Sequence, residues 1–129
     1  MNARAHRIAR WLPAIGWAAV IFGLSSMQST GVGGDLSSLA HLGAYAILAA
    51  LVWWALGGRG GGLRAAVLAI VIASIYGISD EYHQSFVPGR NPDVVDWTLD
   101  TLGAIVAVLA LALGARWWRK RSGGVAQSD

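Results

Sequence analysis

The chain contains no cysteine, so no disulfide can form and thiol chemistry says nothing about its compartment. Charge is scarce: Asp, Glu, Lys and Arg make up 13% of its 129 residues, against about 25% in ordinary soluble domains. Regular alternation of polar and apolar residues is missing, which argues against barrel strands, and no internal repeat is visible. The glycine-rich GGRGGGLR lacks the Lys-Ser/Thr ending of a phosphate-binding loop and reads as a turn between helices. What is abundant is apolar surface, 55% of residues, more than a soluble body of this size could hide from water. Lipid is therefore the expected solvent.

Four apolar runs stand out, at residues 11–24, 39–56, 63–79 and 94–115. A spanning helix needs about 20 mainly apolar residues, and three of the runs reach that with small extensions. The first is shorter and must borrow Ile8 and Ala9 or Ser25, Ser26 and Met27. With Arg4, Arg7 and Arg10 before it, it resembles a signal peptide, but LSSMQSTG offers no A-x-A cleavage site and the segment is expected to remain as a helix. The fold class expected is an all-α integral membrane protein, a four-transmembrane-helix bundle. One domain should cover residues 1–121, followed by a disordered polar tail over 122–129.

Basic residues near membrane-spanning ends stay cytoplasmic. With four spans, nine of the ten Arg and Lys residues fall on one side and Arg90 alone on the other, which predicts both termini in the cytoplasm. The net charge of +3 is then a topology signal with some attraction for anionic lipid heads, and nucleic acid is not an expected partner. Trp11, Trp53, Trp54, Trp117 and Trp118 are expected at the cytoplasmic interface and Trp97 near the outer one. The small pairs Ala46/Ala50, Gly103/Ala107 and Ala110/Gly114 permit close helix contact.

The same topology sends Asp35, Asp80, Glu81, Asp93, Asp96 and Asp100 outward, leaving only Asp129 inside. Asn91-Pro92-Asp93 reads as a helix start, with Asn as cap and Pro in the first position. Asp96 and Asp100 are four apart and share a helix face. Asp100 lies roughly 12 Å along the axis from Pro92, a costly depth for a carboxylate. If the third helix continues past the apolar run, Asp80, His83 and Gln84 share one face and Glu81 turns about 100° away. His41 and Tyr45 form another pair at helical spacing. Arg90, in SFVPGRNP, is placed to pair with an acid or to hold an anion through its fork. Each has a plainer reading as helix cap, interfacial belt residue, wet helix end or hydrogen-bonded glue.

The stretch IYGISDEYHQSFVPGRNPDVVDWTLDTLGA resembles the signature of the VanZ-like family, small bacterial membrane proteins whose namesake is associated with low-level teicoplanin resistance. The matching residues are Asp80, Glu81, Gln84, Phe86, Pro88, Gly89, Arg90, Asp96, Asp100, Leu102 and Gly103. Upstream, GLSSMQS and AHLGAYAIL are similar to the family's Ser-Ser-Gln and His-x-x-x-Tyr segments. Many relatives carry a Lys three positions before the His, where this chain has Ser38. The resemblance implies a role in the cell envelope of the bacterial cytoplasmic membrane, altering glycopeptide susceptibility, and brings no settled reaction.

Three functions compete. One is a non-catalytic module whose outward polar group binds a glycopeptide, a lipid or a lipid-linked cell-wall precursor, with Tyr45, Asp80, His83, Gln84 and Arg90 as binding candidates. Another is an enzyme on such an intermediate at the outer leaflet, with His41, Glu81, Asp96 and Asp100 as candidate acids and bases. A divalent metal is a variant of it: carboxylates suit Mg²⁺ or Mn²⁺, and adding His41 or His83 admits Zn²⁺, although no H-E-x-x-H spacing is present. The third, a small transporter subunit, fits the size but lacks a carboxylate in the first helix.

Overall fold

The structure is a computed structural model that describes residues 2–27 and 35–123. Its elements run α1 (Ala3–Ala9), α2 (Leu12–Ser25), α3 (Asp35–Ala55), a 3₁₀ turn (Gly58–Gly60), α4 (Gly62–Gln84) and α5 (Val94–Gly123). No strand occurs among the described residues. The link between α2 and α3 and most of the expected tail lie outside them, while Ser122 and Gly123 still belong to α5.

Four helical segments are long and apolar enough to cross a bilayer: Arg4–Ser25, Ser37–Ala55, Gly62–Gln84 and Val94–Ser122. The first combines α1 and α2. Pro13 near the start of α2 has no N–H to offer the carbonyl one turn back, and the ladder tightens there to a bond from Trp11 N to Ile8 O at 3.0 Å. As expected, the short apolar run gains its length from Ile8 and Ala9.

Small residues face inward and large ones outward, the reverse of a soluble core. On α4, Ala65, Ala69, Ala73 and Gly77 recur every fourth residue and all are buried, whereas Val67, Val71, Ile75 and Ile78 are exposed. In lipid, apolar side chains gain nothing by leaving the surface, so small residues that let backbones approach dominate the contacts. The principal contact is α3 on α5, with α4 packed against both. At its tightest, Gly103 lies against the backbone of Leu42, with no room for a Cβ. Of the other small pairs, Ala110 and Gly114 are exposed and make no close contact among the described residues.

The basic residues gather at one end. Arg10 donates to the Trp54 carbonyl at 2.6 Å and Arg119 to the Arg59 carbonyl at 3.0 Å, placing cations at the negative end of α3 and in the turn. The turn needs its glycines: Gly57 has φ +105° and Gly62 +57°. Arg10 and Arg121 lie over the rings of Trp54 and Trp117, an exposed aromatic and cationic rim. Trp53 departs from the expected belt, being buried in the core, and Trp97 is half-buried with its indole N–H donating to the Ser74 carbonyl at 3.2 Å.

Candidate functional site

At the opposite end, helical backbone bonding carries α4 five residues beyond its apolar run, to Gln84. Asp80, Glu81 and Gln84 therefore sit on helix and are all buried. The next helix begins at Val94, so Asp93, not Asn91, is the cap: its Oδ1 accepts from Val95 N at 2.8 Å. The Asp93 N–H in turn donates to Glu81 Oε2 at 2.7 Å, tying the start of α5 to the end of α4.

His41, Glu81 and Asp100 arrive from α3, α4 and α5, and each offers a nitrogen or oxygen within 4.8 Å of the others. His41 Nδ1 lies 3.0 Å from Asp100 Oδ1, while Nε2 has Asp96 Oδ2 at 3.8 Å. The imidazole thus has a carboxylate on each nitrogen. Asp100 is fully buried and Glu81 is 8% exposed, yet Asp100 Oδ2 and Glu81 Oε1 have no hydrogen-bond partner among the described residues. Ionised groups at such positions are costly unless paired, so two free buried carboxylate oxygens demand a proton, a cation or a ligand donor.

A second polar group adjoins the first. Asp80 Oδ2 accepts from Ser25 Oγ at 2.8 Å and from Gln84 Nε2 at 3.2 Å. Tyr45, almost wholly buried one turn along α3 from His41, has its hydroxyl beside Asp80, and neither it nor Asp80 Oδ1 makes a close hydrogen bond among the described residues. Gly77 makes room for this convergence. A Cβ there would stand 3.2 Å from Trp97 Cδ1, 3.3 Å from Asp100 Oδ2 and 3.4 Å from Tyr45 Cε1.

His83 goes elsewhere. It stacks on Phe22 with ring centroids 4.2 Å apart, and its Nε2 lies 3.0 Å from Ser26 Oγ, so it belongs to the α2–α4 contact. The expected pairing of Arg90 with an acid is not seen among the described residues. Its guanidinium donates to the carbonyls of Met27 at 3.2 Å and Leu24 at 3.4 Å while the side chain still lines the cleft. The carbonyls ending α2 are the reason: a short helix with no basic residue in its last turn leaves its negative pole for a cation from another segment.

These groups frame a cleft of about 160 Å³. Ile21 and Leu24 of α2 and Ala40 and Ala44 of α3 form apolar walls. Ser25, His41, Tyr45 and Asp80 supply polar groups, and Arg90 lines it as well. Water, an ammonium, a metal ion or a small headgroup can be received there, and His41 with its carboxylates can move a proton. Ser25 and Gly77 were missed as site residues by sequence reasoning. Ser25 lies in the GLSSMQS segment, and Gly77 stands four residues before Glu81 on one face of α4, but the partners that give them meaning are remote in sequence. Ser38 is half-buried one turn before His41.

No curated protein and no solved structure matches the chain. A family model does match, and it covers both the scaffold and every residue of the cluster. That model, VanZ/LLP1, spans residues 4–115, from the first arginines through most of α5. With four apolar helices and the signature residues converging at one end, the chain belongs to the VanZ/LLP1 family.

Proposed function

We propose that the protein is a single-domain, multi-pass component of the bacterial cytoplasmic membrane that binds the head of a lipid or lipid-linked cell-wall precursor at the outer leaflet. By occupying or presenting that intermediate it alters the access of glycopeptides such as teicoplanin. The observation that carries this reading is the cleft between α2 and α3, apolar on its walls and lined by Ser25, His41, Tyr45, Asp80 and Arg90. Its size admits a small headgroup and excludes a glycopeptide as a whole. The orientation rests on the charge asymmetry, with nine basic residues at the end opposite the cleft.

The test is complementation in a host lacking its own copy. Teicoplanin susceptibility should change with wild-type protein. The effect should disappear with Asp80→Ala or Glu81→Ala while membrane abundance is maintained. An unchanged phenotype in both variants refutes the reading. Because the chain has no cysteine, a Cys at Ser85 should be labelled from outside intact cells and one at Gly60 only after permeabilisation. The reverse pattern would put the cleft in the cytoplasm.

A catalytic reading is favoured by one observation, the His41–Asp100 contact at 3.0 Å with Asp96 beside the other ring nitrogen. Such a pair orients a histidine as a general base for attack by water. Turnover of a lipid-linked phosphate by wild-type protein, abolished in His41→Gln, would establish it.

A further inference from the structure

We infer that His41, Glu81 and Asp100 form a binding site for one divalent transition-metal ion, Zn²⁺ or Mn²⁺, with Asp96 orienting the histidine ligand. The three side chains come from three different helices, and their donor atoms lie within 4.8 Å of one another. An ion of this kind sits about 2.0–2.2 Å from nitrogen and oxygen ligands, which draws them to roughly 3–3.5 Å apart.

Three features point to a cation as the missing partner. Each carboxylate is held by one oxygen and has the other to spare. The Asp93 N–H fixes Glu81 through Oε2, leaving Oε1 free, and His41 engages Asp100 through Oδ1, leaving Oδ2 free. Both residues are more than nine-tenths buried, so bulk water does not satisfy those oxygens. The histidine also carries the second contact typical of a metal ligand: with Nδ1 on the Asp100 side, Nε2 faces Asp96 Oδ2 at 3.8 Å. Ligating histidines commonly give their remaining N–H to a carboxylate, which fixes tautomer and ring orientation.

Charge gives the reason for a metal rather than a ligand anion alone. Glu81, Asp96 and Asp100 lie close to His41, and Arg90 donates to the carbonyls of Leu24 and Met27. Such a cluster attracts a cation more strongly than an anion. A divalent ion neutralises the carboxylates and keeps positions open for a phosphate oxygen or water. One imidazole with two carboxylates suits Zn²⁺ or Mn²⁺ better than Mg²⁺, which favours oxygen and keeps its waters.

The full chain, purified in detergent with its tag removed and stripped with EDTA, is dialysed against ZnCl₂ or MnCl₂, and metal per protein is measured by plasma mass spectrometry. One saturable equivalent is expected in wild type. Glu81→Gln and Asp100→Asn should abolish it, Asp96→Asn should weaken it about 10–100-fold, and His83→Gln should leave it unchanged. Metal should also raise the denaturant midpoint of wild type but not of Glu81→Gln, so folding and binding are read separately. No saturable binding in wild type, or equal binding in wild type and Glu81→Gln, overturns the assignment. Metal binding is measured without reference to susceptibility, so either this inference or the lipid-binding reading can fail while the other stands.

Discussion

Replacing Gly103 by Ala tests whether packing positions the site. An ideal Cβ at Gly103 would overlap the Leu42 carbonyl oxygen and stand 3.0 Å and 3.2 Å from Leu42 C and Cα. These are backbone atoms of α3, so no rotamer change relieves the contact. Carbon atoms pack best about 3.5–4.0 Å apart, and α5 must therefore retreat from α3 by on the order of 1 Å. His41 adjoins Leu42 in sequence and Asp100 precedes Gly103 by three residues, so the same shift stretches their 3.0 Å contact. At ~4 Å it is no longer a hydrogen bond.

Overpacking costs about 1–3 kcal/mol, and losing a hydrogen bond to a charged group about 1.5–3 kcal/mol. Against this, Ala gains about 1 kcal/mol of helix propensity over Gly. The opposing terms leave a net loss of roughly 1.5–5 kcal/mol. Unfolding by SDS in mixed micelles, followed by tryptophan fluorescence, measures it. Gly114→Ala serves as the control, because nothing lies within 4 Å of its Cβ position and only the propensity gain applies. If the contact and the site are linked, Gly103→Ala and Asp100→Asn should be less than additive when combined. A Gly103→Ala protein as stable as wild type, or as stabilised as the control, refutes the reasoning.

Two further outcomes follow from the geometry. Ser74 Oγ and Thr101 Oγ1 lie 2.9 Å apart across α4 and α5, so the Ser74→Cys, Thr101→Cys protein should close a disulfide under mild oxidation, seen as a mobility shift on gels. Failure to close would refute the helix register. Arg90→Ala should cost about 1 kcal/mol in the same SDS titration by freeing the α2 carbonyls, and Arg90→Lys should recover only part, because a point charge replaces the guanidinium fork. Unchanged stability with loss of the susceptibility effect would instead give Arg90 to the ligand.

Hydropathy made the four helices legible, because spans of this length in lipid have little alternative to helix. The apolar run of the third helix stops at residue 79, and the helix continues through Asp80, His83 and Gln84 as their spacing suggested, because it follows backbone bonding rather than side-chain polarity. The i,i+4 spacing brought out Asp96/Asp100 and His41/Tyr45 because it is local. Ser25 with Asp80 is not: the partners are 55 residues apart, and only the packing of α2 on α4 joins them. The anchoring of Arg90 was hidden for a related reason. Composition showed a lone cation among acids, but the carbonyls of Leu24 and Met27 to which it donates are backbone groups, invisible in residue types.

The small-residue stripe of α4 accounts for where the acids can gather. Ala65, Ala69, Ala73 and Gly77 line the inward face, and Glu81 is the next residue of that series. Each small residue keeps α3 and α5 close to α4, so Asp100 and Tyr45 reach across to the space that Gly77 leaves. Had the stripe held large residues, the helices would stand apart and each carboxylate would meet lipid alone, a cost no single salt bridge offsets. The cluster also sits at a helix end rather than mid-membrane, where a cation or a headgroup can enter from the aqueous phase. The apolar half of α4 and the polar group at its end are therefore one design: close packing along the stripe brings the acids of three helices together at its end.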